Sequence, residues 1–182
     1  TPSDQDADQY IIRDGRVEFN LCGFFCICAL LGTSIEDMLA KIKSVDRIFF
    51  NRVFNKSGNN GRTSLQDLMR IHKIFRSDSK YELLYDLLKD NVKSYILSPG
   101  RLQEIMKDYD VIVGVKISTA SGKPKQAGVL HWLLLRKIEV TGVNMGVVTF
   151  YNPFRDRDQT CSWDELYVSM SVPAGLCISK TS

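Results

Sequence analysis

The stretch FNLCGFFCICALLG (Phe19 to Gly32) sets three cysteines among Phe, Ile and Leu, and its reading decides the fold. From Cys22 to Leu31 every residue is apolar, small or sulfur-containing, which suits a helix buried on all sides. Gly32 supplies a stop at its C-terminus. The three thiols leave open whether this is a sulfur-rich core helix, part of a metal site or the seat of a reactive thiolate.

Outward from that helix the first half of the chain stays helical. TSIEDMLAKI (Thr33 to Ile42) predicts a second helix, with Ser34 and Asp37 approximating a capping box and Ile35, Met38, Leu39 and Ile42 on one face. NKSGNNG (Asn55 to Gly61) reads as a loop. RTSLQDLMRIHKIF (Arg62 to Phe75) predicts a helix capped near Thr63 or Ser64, with Leu65, Leu68, Ile71 and Phe75 on its buried side. YELLYDLLKD (Tyr81 to Asp90) and SPGRLQEIMKD (Ser98 to Asp108) predict two more short helices, the second with Pro99 early, where it is favoured.

The pattern then changes. DVIVGVKIS (Asp110 to Ser118) reads as a strand and TASGKPKQAG (Thr119 to Gly128) as a polar loop. VLHWLLLRKIEV (Val129 to Val140) and GVVTFYNP (Gly146 to Pro153) read as two strands around the turn TGVNMG (Thr141 to Gly146). SWDELYVSM (Ser162 to Met170) predicts a short helix capped by Ser162, and AGLCIS (Ala174 to Ser179) a closing strand. Helices first and an antiparallel meander second predict an α+β fold, an N-terminal helical half packed on a C-terminal sheet.

At 182 residues the chain suits one core. We take residues 1–9, acidic with Pro and Ser, as a flexible lead-in, and 10–182 as a single domain. The start without Met or a signal region reads as a mature product or excised piece of a longer polypeptide. A net charge of +3, with no basic run interleaved with aromatics, argues against nucleic acid. No apolar run approaches the roughly 18 residues of a membrane span. Five cysteines, three of them crowded together, do not resemble a disulfide framework and favour a reducing, cytoplasmic compartment.

Of the two histidines, His72 falls on a helix beside Arg70 and Lys73 and is expected to be solvated or half-buried. His131 lies inside a strand among Leu130, Trp132, Leu133 and Leu134, either as a core histidine or as a base. For CGFFCIC as a metal site, no fourth ligand is near, so no metal and no cofactor is expected. A thiolate fits better: Cys22 stands where the helix starts and gains from the partial positive charge there, whereas Cys26 and Cys28 lie inside as packing residues. Such a nucleophile needs an imidazole and a group to orient it. His131 and Asn152, near the start of one antiparallel strand and the end of the next, are placed to pair.

In this order the motifs resemble the papain-like cysteine peptidases, in particular the bacteriocin-processing, double-glycine leader peptidase branch. NLCGFFCICALLG resembles that family's nucleophile helix through Asn20, Cys22, Gly23, Cys26 and Leu31. GRTSLQDLMRI is similar to its Gly-x-Thr/Ser helix opening, VLHWLLLRKIEV to its His-aromatic strand, VVTFYNPF to its strand ending in Asp-Pro or Asn-Pro, and CSWDELYVSM to the helix after it. The likeness runs from about residue 17 to 179. It implies a papain-like fold and thiol-dependent cleavage of a peptide or amide bond through an acyl-enzyme, with a peptide or protein as substrate. Cys22 would be the nucleophile, His131 the general base and acid, and Asn152 the orienting residue. The Cys22 backbone N–H would supply one oxyanion donor. Arg16 stands where the family has a Gln donor, which leaves Asn20 as the neutral amide for the second; Phe24 replaces a frequent Pro. A thiol acyltransferase and an inactive binding domain on the same scaffold remain as alternatives.

Overall fold

A segment apolar all round is stable only with protein around it, and α1 (Cys22–Leu31) is such a helix: Cys22 through Cys28 are all buried. The computed structural model describes residues 10–13, 16–54, 61–89, 97–118, 121–126, 128–170 and 174–180, with side chains from Leu21 onward, Val129 aside. The lead-in at 1–9 and residues 55–60 of the expected loop lie outside the described residues. The chain divides into two compact units, Thr1–Ser77 with Pro153–Asp156, and Asp78–Asn152 with Arg157–Ser182. Together they hold helices and an antiparallel sheet, an α+β protein. No single helix among the described residues is long and apolar enough to cross a membrane.

The first unit opens with an antiparallel pair, β1 (Tyr10–Arg13) and β2 (Arg16–Asn20), that the sequence pattern did not announce. Helix α1 follows and stops at Gly32, whose left-handed φ of 68° turns the chain so that the Thr33 N–H also reaches the Cys28 carbonyl, at 3.2 Å. In α2 (Ile35–Val45) Ser34 caps the Asp37 N–H, and Met38 and Ile42 carry the buried face. A short α3 (Arg47–Val53), also not expected, is capped by Asp46. Helix α4 (Leu65–Phe75) starts with a full capping box between Ser64 and Asp67. Asp67 also takes Arg52 of α3 at 2.9 Å, and Asp46 takes Arg70 of α4, so two ion pairs tie the helices side to side.

Gly23, next to Cys22, is where α1 and the start of α4 meet. A Cβ on it would lie 2.2 Å from Thr63 Oγ1 and 2.8 Å from Leu68 Cδ2. Alanine gains about 1 kcal/mol of helix propensity there, but the overlap costs about 1–3 kcal/mol. Gly23→Ala is therefore expected to lower the urea midpoint with an unchanged m-value; an increase would show that α1 and α4 separate without penalty.

The second unit is a six-stranded antiparallel sheet in the order β3-β8-β4-β5-β6-β7. Its strands are β3 (Tyr81–Leu83), β4 (Tyr109–Ile117), β5 (Val129–Gly142), β6 (Met145–Asn152), β7 (Arg157–Ser162) and β8 (Gly175–Ser179). Central β4 buries Val111, Ile112 and Val113 in succession, as a strand covered on both faces must. Helix α5 (Leu84–Leu88) follows β3, α6 (Pro99–Asp108) packs Leu102 and Ile105 near β4 and β5, and α7 (Trp163–Ser169) packs near β6 and β4. The start of YELLYDLLKD is a correction: Tyr81 to Leu83 pair with Ile178 to Leu176 of β8, so sheet hydrogen bonding takes residues whose propensity reads as helix. Strand β7, RDQTCS, is a further addition, an edge strand whose polar residues show no apolar alternation.

Candidate functional site

Two strand ends of the second unit place its polar centre. Pro153 cannot donate to a ladder, so β6 stops at Asn152. Tyr151 faces Leu134 across the β5–β6 pair, which sets Asn152 level with Leu133 and diagonal to His131. Both polar side chains are buried, His131 at 3% exposure and Asn152 at 0%. His131 Nε2 lies 3.2 Å from Asn152 Oδ1. The Asn152 amide donates to the Gly122 carbonyl at 2.6 Å and to Gln159 Oε1 at 2.7 Å.

This network fixes a tautomer. With both amide hydrogens of Asn152 given to oxygens, its Oδ1 faces the ring and accepts, so Nε2 carries the hydrogen and Nδ1 the lone pair. Burial lowers the His131 pKa to about 4, against a smaller opposing effect of the Asn152 hydrogen bond. At neutral pH the ring is uncharged and in the form that can take a proton.

Cys22 belongs to the first unit, as the first residue of α1. The residue is 6% exposed, and all five cysteines are outside any disulfide. Among the described residues, the helices of ten or more residues other than α1 open with side-chain caps from Ser34, Ser64 and Ser98, whereas Leu21 offers α1 none. Its opening amides have no partner inside the helix, and they carry the positive end of its dipole beside the Cys22 backbone. Asn20 closes β2; its side chain, like those of Arg16 and Glu18, lies outside the described part.

The other thiols are packing groups. Cys26 is fully buried. Cys28 donates toward Met38 Sδ at 3.5 Å, and burial, followed by Glu36 and Asp156, pushes its pKa up to about 12. Burial likewise raises Cys161 and Cys177 to about 12. Among the described residues no group of three or more His, Cys, Asp and Glu could hold a metal ion.

His72 corrects its expectation: it is 4% exposed, not solvated or half-buried. It follows Ile71 and stands one turn beyond Leu68, so the apolar stripe of α4 extends over it. Burial, with Arg76 as a second cause, lowers its pKa to about 4.

No family model matches the chain, and no curated protein matches it. What the residues can do rests on their own chemistry. The structure brings His131 and Asn152 together within one unit and leaves Cys22 at a helix start in the other. Two members of the polar network were not foreseen. The Gly122 carbonyl is a backbone group with no signature in sequence. Gln159 sits on β7, and only the pairing of β7 with β6 reveals it.

Proposed function

We propose that the chain is a papain-like cysteine peptidase, cutting a peptide or amide bond through a thioester on Cys22. The observation that carries the reading is the hydrogen bond from His131 Nε2 to Asn152 Oδ1, with the Asn152 amide held by two further oxygens. It leaves the imidazole neutral with Nδ1 as the basic atom, the protonation state a general base needs.

In this mechanism Nδ1 takes the Cys22 proton as Sγ attacks the substrate carbonyl carbon. The carbonyl electron pair moves to oxygen, where the Cys22 backbone N–H at the start of α1 meets it; Asn20 supplies the second donor. On collapse, the C–N bond breaks and His131 returns the proton to the leaving amine. Water then attacks the thioester, giving its proton to Nδ1, and Cys22 leaves as the thiol. Asn152 holds the ring throughout and supports the imidazolium formed at each transfer.

The test is iodoacetamide labelling of the native protein at neutral pH, mapped by peptide mass. Cys28, Cys161 and Cys177 should be silent, since a thiol near 12 is ionised to only on the order of 10⁻⁵ at pH 7. Cys22 should label, and His131→Ala should slow it at least about tenfold, the effect of losing a positioned base. Equal labelling of Cys22 with and without His131 would end the peptidase reading.

A further inference from the structure

We infer that Gln159 is a positioning residue for His131, acting through the side-chain amide of Asn152. The kinetic part of this inference rests on the peptidase reading, whereas its structural part does not.

An asparagine amide has nearly the same shape either way round, so its neighbours alone decide which atom it turns to a given partner. At Asn152, fully buried, that choice is made by the surrounding protein groups. The Gly122 oxygen, 2.6 Å from Nδ2, is a backbone acceptor that cannot become a donor. Gln159 Oε1, 2.7 Å from the same nitrogen, takes the other hydrogen. Turning the amide over would aim Oδ1 at both oxygens and Nδ2 at His131. The ring could then accept at Nε2 only by moving its proton to Nδ1, which removes the base from the atom that the mechanism uses.

Gln159 is well placed to enforce this choice. It pairs with Phe150 in the β6–β7 ladder, with Thr160 opposite Thr149 and Asp158 opposite Tyr151, so the strand fixes its Cα against that of Asn152. The backbone carbonyl sets the sense of the amide, and Gln159 is the side chain that completes it. A merely structural Gln159 would satisfy a buried donor and add stability, with no hold on the proton position of a ring it does not touch. The two roles therefore differ in what they do to His131.

The experiment compares the full chain with Gln159→Leu, Gln159→Lys and Gln159→Glu. The first readout is the ring ¹⁵N pattern of His131, which distinguishes the two tautomers and needs no substrate. The second is kcat and KM for peptide cleavage. In the unsubstituted chain the Nε2–H form should dominate. Gln159→Leu should mix the tautomers and lower kcat about tenfold with KM little changed, the size expected for one neutral hydrogen bond. Gln159→Lys, which presents a donor to a donor, should do so more strongly, and it serves where the Leu variant fails to fold. Gln159→Glu keeps an acceptor at similar reach and should rescue the tautomer. A folded Leu or Lys variant whose His131 keeps a single Nε2–H pattern overturns the inference, even where turnover is present. A tautomer that follows residue 159 in a chain without turnover upholds the inference while the peptidase reading falls.

Discussion

On the proposed peptidase mechanism, Cys22→Ala is expected to reduce peptide cleavage on the order of 10⁶-fold, the scale on which covalent catalysis fails when its nucleophile is removed. A small change in stability should accompany it. The buried sulfur gives up about 1 kcal/mol of packing, and alanine, the best helix former, recovers about half of that at the first position of α1. The measurement is single-turnover cleavage of a defined peptide mixture followed by mass spectrometry, with urea unfolding of the same preparation. Loss of turnover with a urea midpoint close to that of the parent supports Cys22 as the reacting atom. Full turnover in the alanine variant removes it from the mechanism, and with it the reading of α1 as a nucleophile helix.

The second large effect is on stability in acid. His131 and His72 are both buried, and both have pKa values lowered from 6.5 to about 4. A histidine with a depressed native pKa binds fewer protons folded than unfolded between those values, so unfolding becomes easier as pH falls through that window. Its contribution is constant above the unfolded value and again below the folded one. At about 1.4 kcal/mol per pH unit, His131 alone accounts for about 3 kcal/mol lost between pH 6.5 and 4. His72 adds less, because part of its shift comes from Arg76 and is weakened by salt. Against a total stability of about 5–15 kcal/mol for a natural domain, the two should bring acid unfolding close to the lower end of the window. Urea unfolding at a series of pH values reads the slope, and His131→Gln and His72→Gln should each flatten it. A His131 contribution that instead grows on acidification would mean that the folded protein holds the ring as imidazolium, with Cys22 and His131 already an ion pair at rest.

Helix α1 was legible from one observation: no residue from Cys22 to Leu31 is suited to water, and Gly32 can take the left-handed conformation that ends a helix. The β5–β6 hairpin was legible for a similar local reason, with apolar strands on either side of a turn where Asn144 adopts a positive φ of 54°. Strands β3 and β7 were not, because what makes them strands is a partner, β8 for one and β6 for the other, far away or unremarkable in sequence. His72 was misplaced for a related reason: its neighbours Arg70 and Lys73 suggested water, but residue 72 shares the stripe of Leu68 and Ile71.

The same division runs through the site. Sequence by itself determined which groups could carry thiol chemistry: a cysteine where a helix begins, one histidine in an apolar strand, and an asparagine stopped by the proline after it. Those are local properties, set by spacing and by the backbone preferences of Gly and Pro. The antiparallel strand order also set His131 near Asn152. Only the tertiary structure decided which ring nitrogen keeps the lone pair, and that Gln159 and the Gly122 carbonyl hold the amide that decides it. Hydrogen-bond direction depends on which donors and acceptors are brought within about 3 Å. At Asn152 those partners arrive from a loop 30 residues earlier and a strand 7 residues later in the chain.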